Sequence, residues 1–187
     1  MSESALGRRE AIASRRGGDL QVWDPVVRLF HWGVVLCCAL NLFLLPEGKI
    51  AHRYVGYAAL TLIAVRVVWG FVGTRHARFS DFVRGPAAVA RYLRRFFTGR
   101  AARHVGHNPA AGWMMVLLML LLAAVGISGW MTTLDAFWGD EALEEIHELL
   151  ANSIMILAGV HALAAILESW HFRENLIWSM VTGRKKA

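Results

Sequence analysis

IHELLANSIMILAGVH, residues 146–161, sets two histidines, His147 and His161, at either end of an otherwise almost wholly apolar run, fourteen positions apart. A helix rises about 1.5 Å per residue, so the two rings lie about 21 Å apart along the axis and return to within about 40° of one face. They therefore point into a bundle from one side at two depths. Two rings so separated cannot share one metal ion, and each needs a partner of its own. If the helix crosses a membrane, an ionisable side chain within it is costly and marks a functional site.

The rest of the chain reads as membrane protein. Of 187 residues, 56% are hydrophobic and 18% charged, more apolar than a soluble domain of this size normally is. Four stretches, roughly 28–45, 52–73, 110–133 and 145–168, meet the about 20 apolar residues needed to span a bilayer. We expect an all-α integral membrane four-helix bundle. In VWDPVVRLFHW, residues 22–32, Trp23 and Trp32 fit the membrane interface, and Asp24-Pro25 reads as a helix cap with a first-turn proline. RGPAAVARYLRRFFTGR, residues 84–100, alternates arginine with Val89, Tyr92, Leu93, Phe96 and Phe97. That pattern suits an amphipathic helix on the membrane surface, or a linker helix packed on the bundle.

The net charge of +6 does not point to nucleic acid, because the basic residues fall between apolar runs. They fit topology instead. Five arginines lie at the N-terminal side, eight in the loop between spans two and three, and Arg173, Arg184, Lys185 and Lys186 follow span four. With four spans all three groups share one side, so both termini are expected in the cytoplasm. The opposite loops carry Lys49 and Arg53, and the acidic run LDAFWGDEALEEIHE, residues 134–148, which is expected on the periplasmic side. Residues 1–20 read as a disordered basic tail without a signal peptide, 21–180 as the transmembrane domain and 181–187 as a basic C-terminal tail. Cys37 and Cys38, adjacent on one helix, are read as small apolar fillers.

Span one enters from the cytoplasm with His31 near its start, and span two from the periplasm with His52 near its start. Span four runs from His147 at the periplasmic side to His161 towards the cytoplasm. Depth therefore pairs His52 with His147 and His31 with His161. Two levels, each with two imidazoles from different helices, suit two bis-histidine haems rather than zinc, which favours a tight cluster of ligands. His171 falls about 80° off the face and about 36 Å beyond His147, deeper than a hydrocarbon core of about 30 Å. His76 and His104 are expected to be solvated in the arginine-rich loop. Arg66, fourteen residues after His52, stands at the level of His161, where it would meet a haem propionate or else snorkel to the headgroups. Gly33, Gly56 and Gly159 lie two to four residues from a proposed ligand, which suits a flat macrocycle or plain helix packing.

DPVVRLFHW (24–32), HRYVGYAALTLIAVRVVWGF (52–71), GHNPAAGW (106–113) and the two spaced histidines together resemble the bacterial cytochrome b561 family, over about residues 21–180. That family includes the b-type cytochrome subunits of nickel-iron hydrogenases and is related to the membrane subunits of respiratory formate dehydrogenases. The resemblance implies two haems b, ligated by His31 with His161 and by His52 with His147, and electron exchange with quinone at the inner membrane. It also implies that Asn108, at the start of span three, contributes to a quinone site. His107 beside it would exchange a proton, since imidazole titrates near neutral pH. Asn108 before Pro109 reads equally as a helix cap, and the two roles are compatible.

Compared with the larger hydrogenase subunits the chain is short, with little beyond four spans. The acidic loop favours a basic periplasmic partner such as a c-type cytochrome over an anionic substrate such as superoxide. Part of that acidity also serves the start of a helix. The resemblance is compatible with a quinone-linked dihaem cytochrome, alone or as a subunit of a hydrogenase or dehydrogenase complex, and with a superoxide:quinone oxidoreductase. Rivals from other classes are a haem-free docking anchor and a proton-relay transporter. Membrane lipid is the surrounding partner, and no nucleic acid is expected.

Overall fold

Asp24 opens the first long helix as a cap: its Oδ1 accepts the amide of Val27 at 2.9 Å, with Pro25 in the first turn. This computed structural model describes residues 18–186, so the arginines at positions 8, 9, 15 and 16 lie outside the described residues. In chain order the helices are α1 Pro25–Phe43, α2 Ile50–Val72, α3 Pro86–Phe97, α4 Pro109–Met131, α5 Glu141–Phe172 and α6 Leu176–Thr182, with a single helical turn at Phe79–Phe82 before α3. Strands β1 Leu20–Gln21 and β2 Arg184–Lys185 complete it.

Helices α1, α2, α4 and α5, of 19, 23, 23 and 32 residues, are long and apolar enough to cross a membrane. Only 6–17% of the residues in each one's most apolar stretch are fully buried within the protein, which leaves apolar surface to face lipid. Caps account for the boundaries. Asn108 Oδ1 accepts the amide of Ala111 at 2.8 Å and opens α4. Asp140 Oδ1 accepts that of Leu143 at 3.1 Å, which starts α5 earlier than its apolar pattern does. Glu141 and Glu144 in that first turn favour the helix dipole, as expected for part of the acidic run.

Consecutive spans pack as neighbours: α1 on α2, α2 on α4, and α4 on α5. The close backbone packing of α5 is with α4 and the short α6, whereas towards α1 and α2 it stands further off. Helix α3 packs on α4 and buries Tyr92, while Phe97 stays exposed, so the arginine-rich helix is both attached to the bundle and open along its outer side.

The two ends of the described chain meet. Strands β1 and β2 pair antiparallel, Leu20 opposite Lys185 and Gln21 opposite Arg184. The amides of Val22 and Trp23 both donate to the carbonyl of Gly183, at 2.8 and 3.0 Å. Gly183 has φ +81°, and a Cβ there would stand 2.6 Å from the Trp23 carbonyl oxygen, so both conformation and space call for glycine. Arg28 donates to the Val181 carbonyl, and Trp32 Nε1 to that of Met180 at 3.3 Å. Termini at one end of the bundle agree with an even number of crossings. Arg184 and Lys185, expected in a tail, are thus a strand, and Lys185 is buried.

Asp24 ties this end together. Its Oδ2 accepts from Trp69 Nε1 at 3.0 Å and from Thr74 Oγ1 at 2.6 Å. Burial raises its pKa, but the hydrogen bonds from Thr74, Trp69 and Val27 outweigh that and hold it below the ordinary carboxylate value of 3.8. A depressed folded pKa contributes stability that is present above the unfolded value and lost as pH falls through the folded one. Asp24→Ala is expected to lower stability at neutral pH by about 1–3 kcal/mol, and by progressively less as pH falls below the ordinary carboxylate value of 3.8. Thermal unfolding in detergent across that pH range reads both effects.

Candidate functional site

The bundle sets its four intramembrane histidines in two facing pairs. His31 of α1 and His161 of α5 have ring centres 6.5 Å apart, with planes at 55°. His52 of α2 and His147 of α5 stand 6.3 Å apart, with planes at 73°. Topology had led to these pairings, and both span the side where α5 stands off its neighbours. Two imidazoles facing one another across a metal, with bonds of about 2 Å each, have ring centres about 6 Å apart. Among the described residues no group of three or more His, Cys, Asp and Glu side chains could hold a metal ion. Two protein ligands per level fit a metal whose remaining donors come from a porphyrin. Nδ1 of His31 and of His52 is buried without a hydrogen-bond partner. The residues therefore fit haem at both levels.

The His147 ring has a built setting. Its Nδ1 lies 3.0 Å from Ser128 Oγ of α4, and Oγ donates at 3.0 Å to the Val125 carbonyl. A Cβ on neighbouring Gly129 would lie 2.7 Å from His147 Cε1. Neither Ser128 nor Gly129 stood out in the sequence, because a small polar residue in an apolar span has no periodic signal.

Arg66 is 0% exposed and does not snorkel. One Nη donates to the Ala77 carbonyl at 2.9 Å and lies 3.7 Å from Met115 Sδ, with the rings of Phe30 and Phe79 alongside. Its Nε and other Nη are buried without a partner. Burying a guanidinium with free donors is unfavourable by several kcal/mol unless an anion meets it (about 3–5 when a partner is missing).

His107 is wedged between Trp23 and Phe82, at ring distances of 4.6 and 4.9 Å, and its buried Nδ1 has no partner. Burial first, then the positive charges of Arg66 and Lys185, pushes its pKa down to about 3. The ring is neutral at physiological pH, so the neutral-range titration expected of it does not hold in this setting.

Asn108 is buried, and besides capping α4 its Nδ2 donates to both oxygens of Glu168, at 2.8 Å each. Tyr92 Oη donates to Glu168 Oε1 at 3.1 Å, and burial followed by the Glu168 charge pushes the phenol pKa up. Glu168 thus joins α3, the start of α4 and the end of α5. Sequence reasoning missed it, although it follows His161 by seven residues, two turns further on the same face.

The glycine expectation divides. A Cβ on Gly33 would meet Leu62 at 2.9 Å, which is helix packing, and one on Gly56 would approach only the Asn41 amide at 3.8 Å. One on Gly159 would meet nothing within 4 Å. His76 and His104 are not simply solvated. His76 Nδ1 pairs with Asp81 at 3.1 Å, and His104 Nδ1 lies 3.0 Å from the Ala102 carbonyl. His171 lies against Phe96 and Phe172, away from both pairs. At the other end Asp135, Asp140, Glu141, Glu144, Glu145 and Glu148 are all exposed, beside an exposed Trp138.

The family model described as prokaryotic cytochrome b561 matches residues 22–183. A "Probable Ni/Fe-hydrogenase B-type cytochrome subunit" of Rhodobacter capsulatus is 24% identical over 226 aligned positions, covering 95% of this chain and 86% of that protein. Proteins of the same name from Rhizobium leguminosarum bv. viciae and Bradyrhizobium diazoefficiens are 25% and 22% identical, covering 89% and 94% of this chain and 89% and 92% of their own lengths. No solved structure matches it.

Proposed function

Because this chain belongs to the prokaryotic cytochrome b561 family, we propose that its facing histidine pairs hold two haems b and carry electrons between membrane quinone and a redox partner at the acidic loop. Family membership makes the chain a multi-pass b-type cytochrome of the bacterial inner membrane that transfers electrons. The observation that carries the dihaem reading is the pair of ring separations, 6.5 and 6.3 Å, at two depths.

Haem, when bound, supplies a one-electron ferric/ferrous couple, and the protein sets ligands, spacing and electrostatics. His31, His52, His147 and His161 would bind the iron. The free donors of Arg66 would hold a propionate. Asn108, Glu168, Tyr92 and neutral His107 form the polar wall of a quinone site at the end where the termini meet. There the Asn108 amide would orient the quinone oxygen, and as a quinol passes its two electrons one at a time to the adjacent ferric haem, the Glu168 carboxylate would take one of its two protons and water at that end of the bundle the other. With the termini in the cytoplasm, as the arginine distribution favours, the acidic loop faces the periplasm and suits a basic protein partner such as a c-type cytochrome. A second reading, as the electron-transfer subunit of a hydrogenase-type complex, is favoured by the names of the relatives. Superoxide as substrate is disfavoured by the exposed carboxylates at that mouth.

The test is the reduced-minus-oxidised spectrum of the purified protein with its haem-to-chain ratio. Two b-type haems per chain are expected. One per chain rejects the double site, and none rejects electron transfer in favour of an anchor or a proton relay.

A further inference from the structure

Among the four proposed ligands, His147 is held by a side chain of another span. Ser128 Oγ stands 3.0 Å from the Val125 carbonyl, which can only accept, and 3.0 Å from His147 Nδ1. With Nε2 bound to a metal, Nδ1 carries the hydrogen of the ring and donates it to Oγ, while the hydroxyl proton goes to the Val125 carbonyl. Ser128 is only 6% exposed, so water offers Nδ1 little competition. Gly129 completes the cradle, since a Cβ in its place would stand 2.7 Å from His147 Cε1 and 3.2 Å from Nδ1 and push the ring off the serine. His52, across the same gap, has its Nδ1 buried without a partner, and so has His31 at the other level.

We infer that Ser128, with Gly129 beside it, is a positioning residue that holds His147 in the Nδ1–H tautomer and lowers the potential of the haem bound by His52 and His147. The inference rests on the reading of His147 as a haem ligand. An Nδ1–H that donates to an acceptor makes the imidazole a stronger donor through Nε2. Stronger donation favours the ferric state of the iron it binds. The two haems are thereby made unequal by one hydroxyl in an apolar span.

The experiment is a redox titration of the purified holoprotein for Ser128→Ala, Ser128→Cys and Ser128→Thr, with haem content measured alongside. Ser128→Ala is expected to raise one midpoint, shifting that haem's ferrous/ferric ratio about tenfold, which is about 59 mV for one electron, and to leave the other unchanged. Ser128→Thr keeps the hydroxyl and is expected to restore the native midpoint. Ser128→Cys, with a weak acceptor of similar size, falls between them and remains readable if the alanine variant sheds the haem. The haem that survives in His147→Ala identifies which midpoint belongs to which level. Gly129→Ala is expected to lower occupancy of the same haem. Unchanged midpoints in both the alanine and cysteine variants, or a threonine variant shifted as far as alanine, overturn the inference while leaving ligation by His147 intact. Retention of both haems by His147→Ala overturns the ligand reading itself.

Discussion

Replacing His147 with alanine is expected to leave one haem b per chain instead of two. The lost haem is the one at the acidic-loop end, because His147 faces His52 there and no third histidine, cysteine or carboxylate clusters with them among the described residues. The other pair, on α1 and the far half of α5, keeps its geometry, since the substitution lies fourteen residues away along a helix capped independently by Asp140 and α4 packing. The measurement is the pyridine haemochrome content per chain, with the difference spectrum resolved into its two components. His161→Ala gives the mirror result, losing the component that His147→Ala retains. Two haems in either variant would show that the pairing is wrong.

The second large effect concerns quinol. Asn108 caps α4 and also donates to both Glu168 oxygens, so alanine would remove two functions at once. Serine caps a helix nearly as well as asparagine but is too short to reach Glu168, which separates them. Glu168→Gln is expected to slow haem reduction by quinol about 100-fold or more, as for the loss of a proton-transfer group, and Asn108→Ser about 10- to 100-fold, as for the loss of one hydrogen bond to a charged group. Haem content and the midpoints should stay unchanged. Stopped-flow reduction by a soluble quinol reads the rate, and native rates in both variants would remove the quinone site from this end of the bundle.

Much of this architecture was legible in the sequence, for identifiable reasons. Asp24-Pro25 and Asn108-Pro109 announce helix starts because a cap followed by proline uses only local hydrogen bonds. The four spans follow from length and apolarity, and the histidine pairs follow from helix rise plus alternating direction. What escaped depends on tertiary neighbours. Glu168 gains its importance from Tyr92 and Asn108, 76 and 60 positions away in the chain. Ser128 and Gly129 matter only because the His147 ring lies against them. His107 was expected to titrate near neutrality, but Trp23 and Phe82 exclude the water that would solvate its charge. Arg66 could have been a headgroup ligand on sequence grounds, yet its guanidinium is fully enclosed.

The seam between Val22, Trp23 and the Gly183 carbonyl also bears on biosynthesis. During translation the first span emerges with its clasp half-made, and the other half is not synthesised until some 160 residues later. Both histidine pairs become available once α5 is complete, but the end that carries His31 stays open until residues 176–185 fold back onto it. That end is therefore the last to close around the haem proposed there. A truncation upstream of Gly183 would leave it ajar, whereas the His52–His147 end would be built as usual.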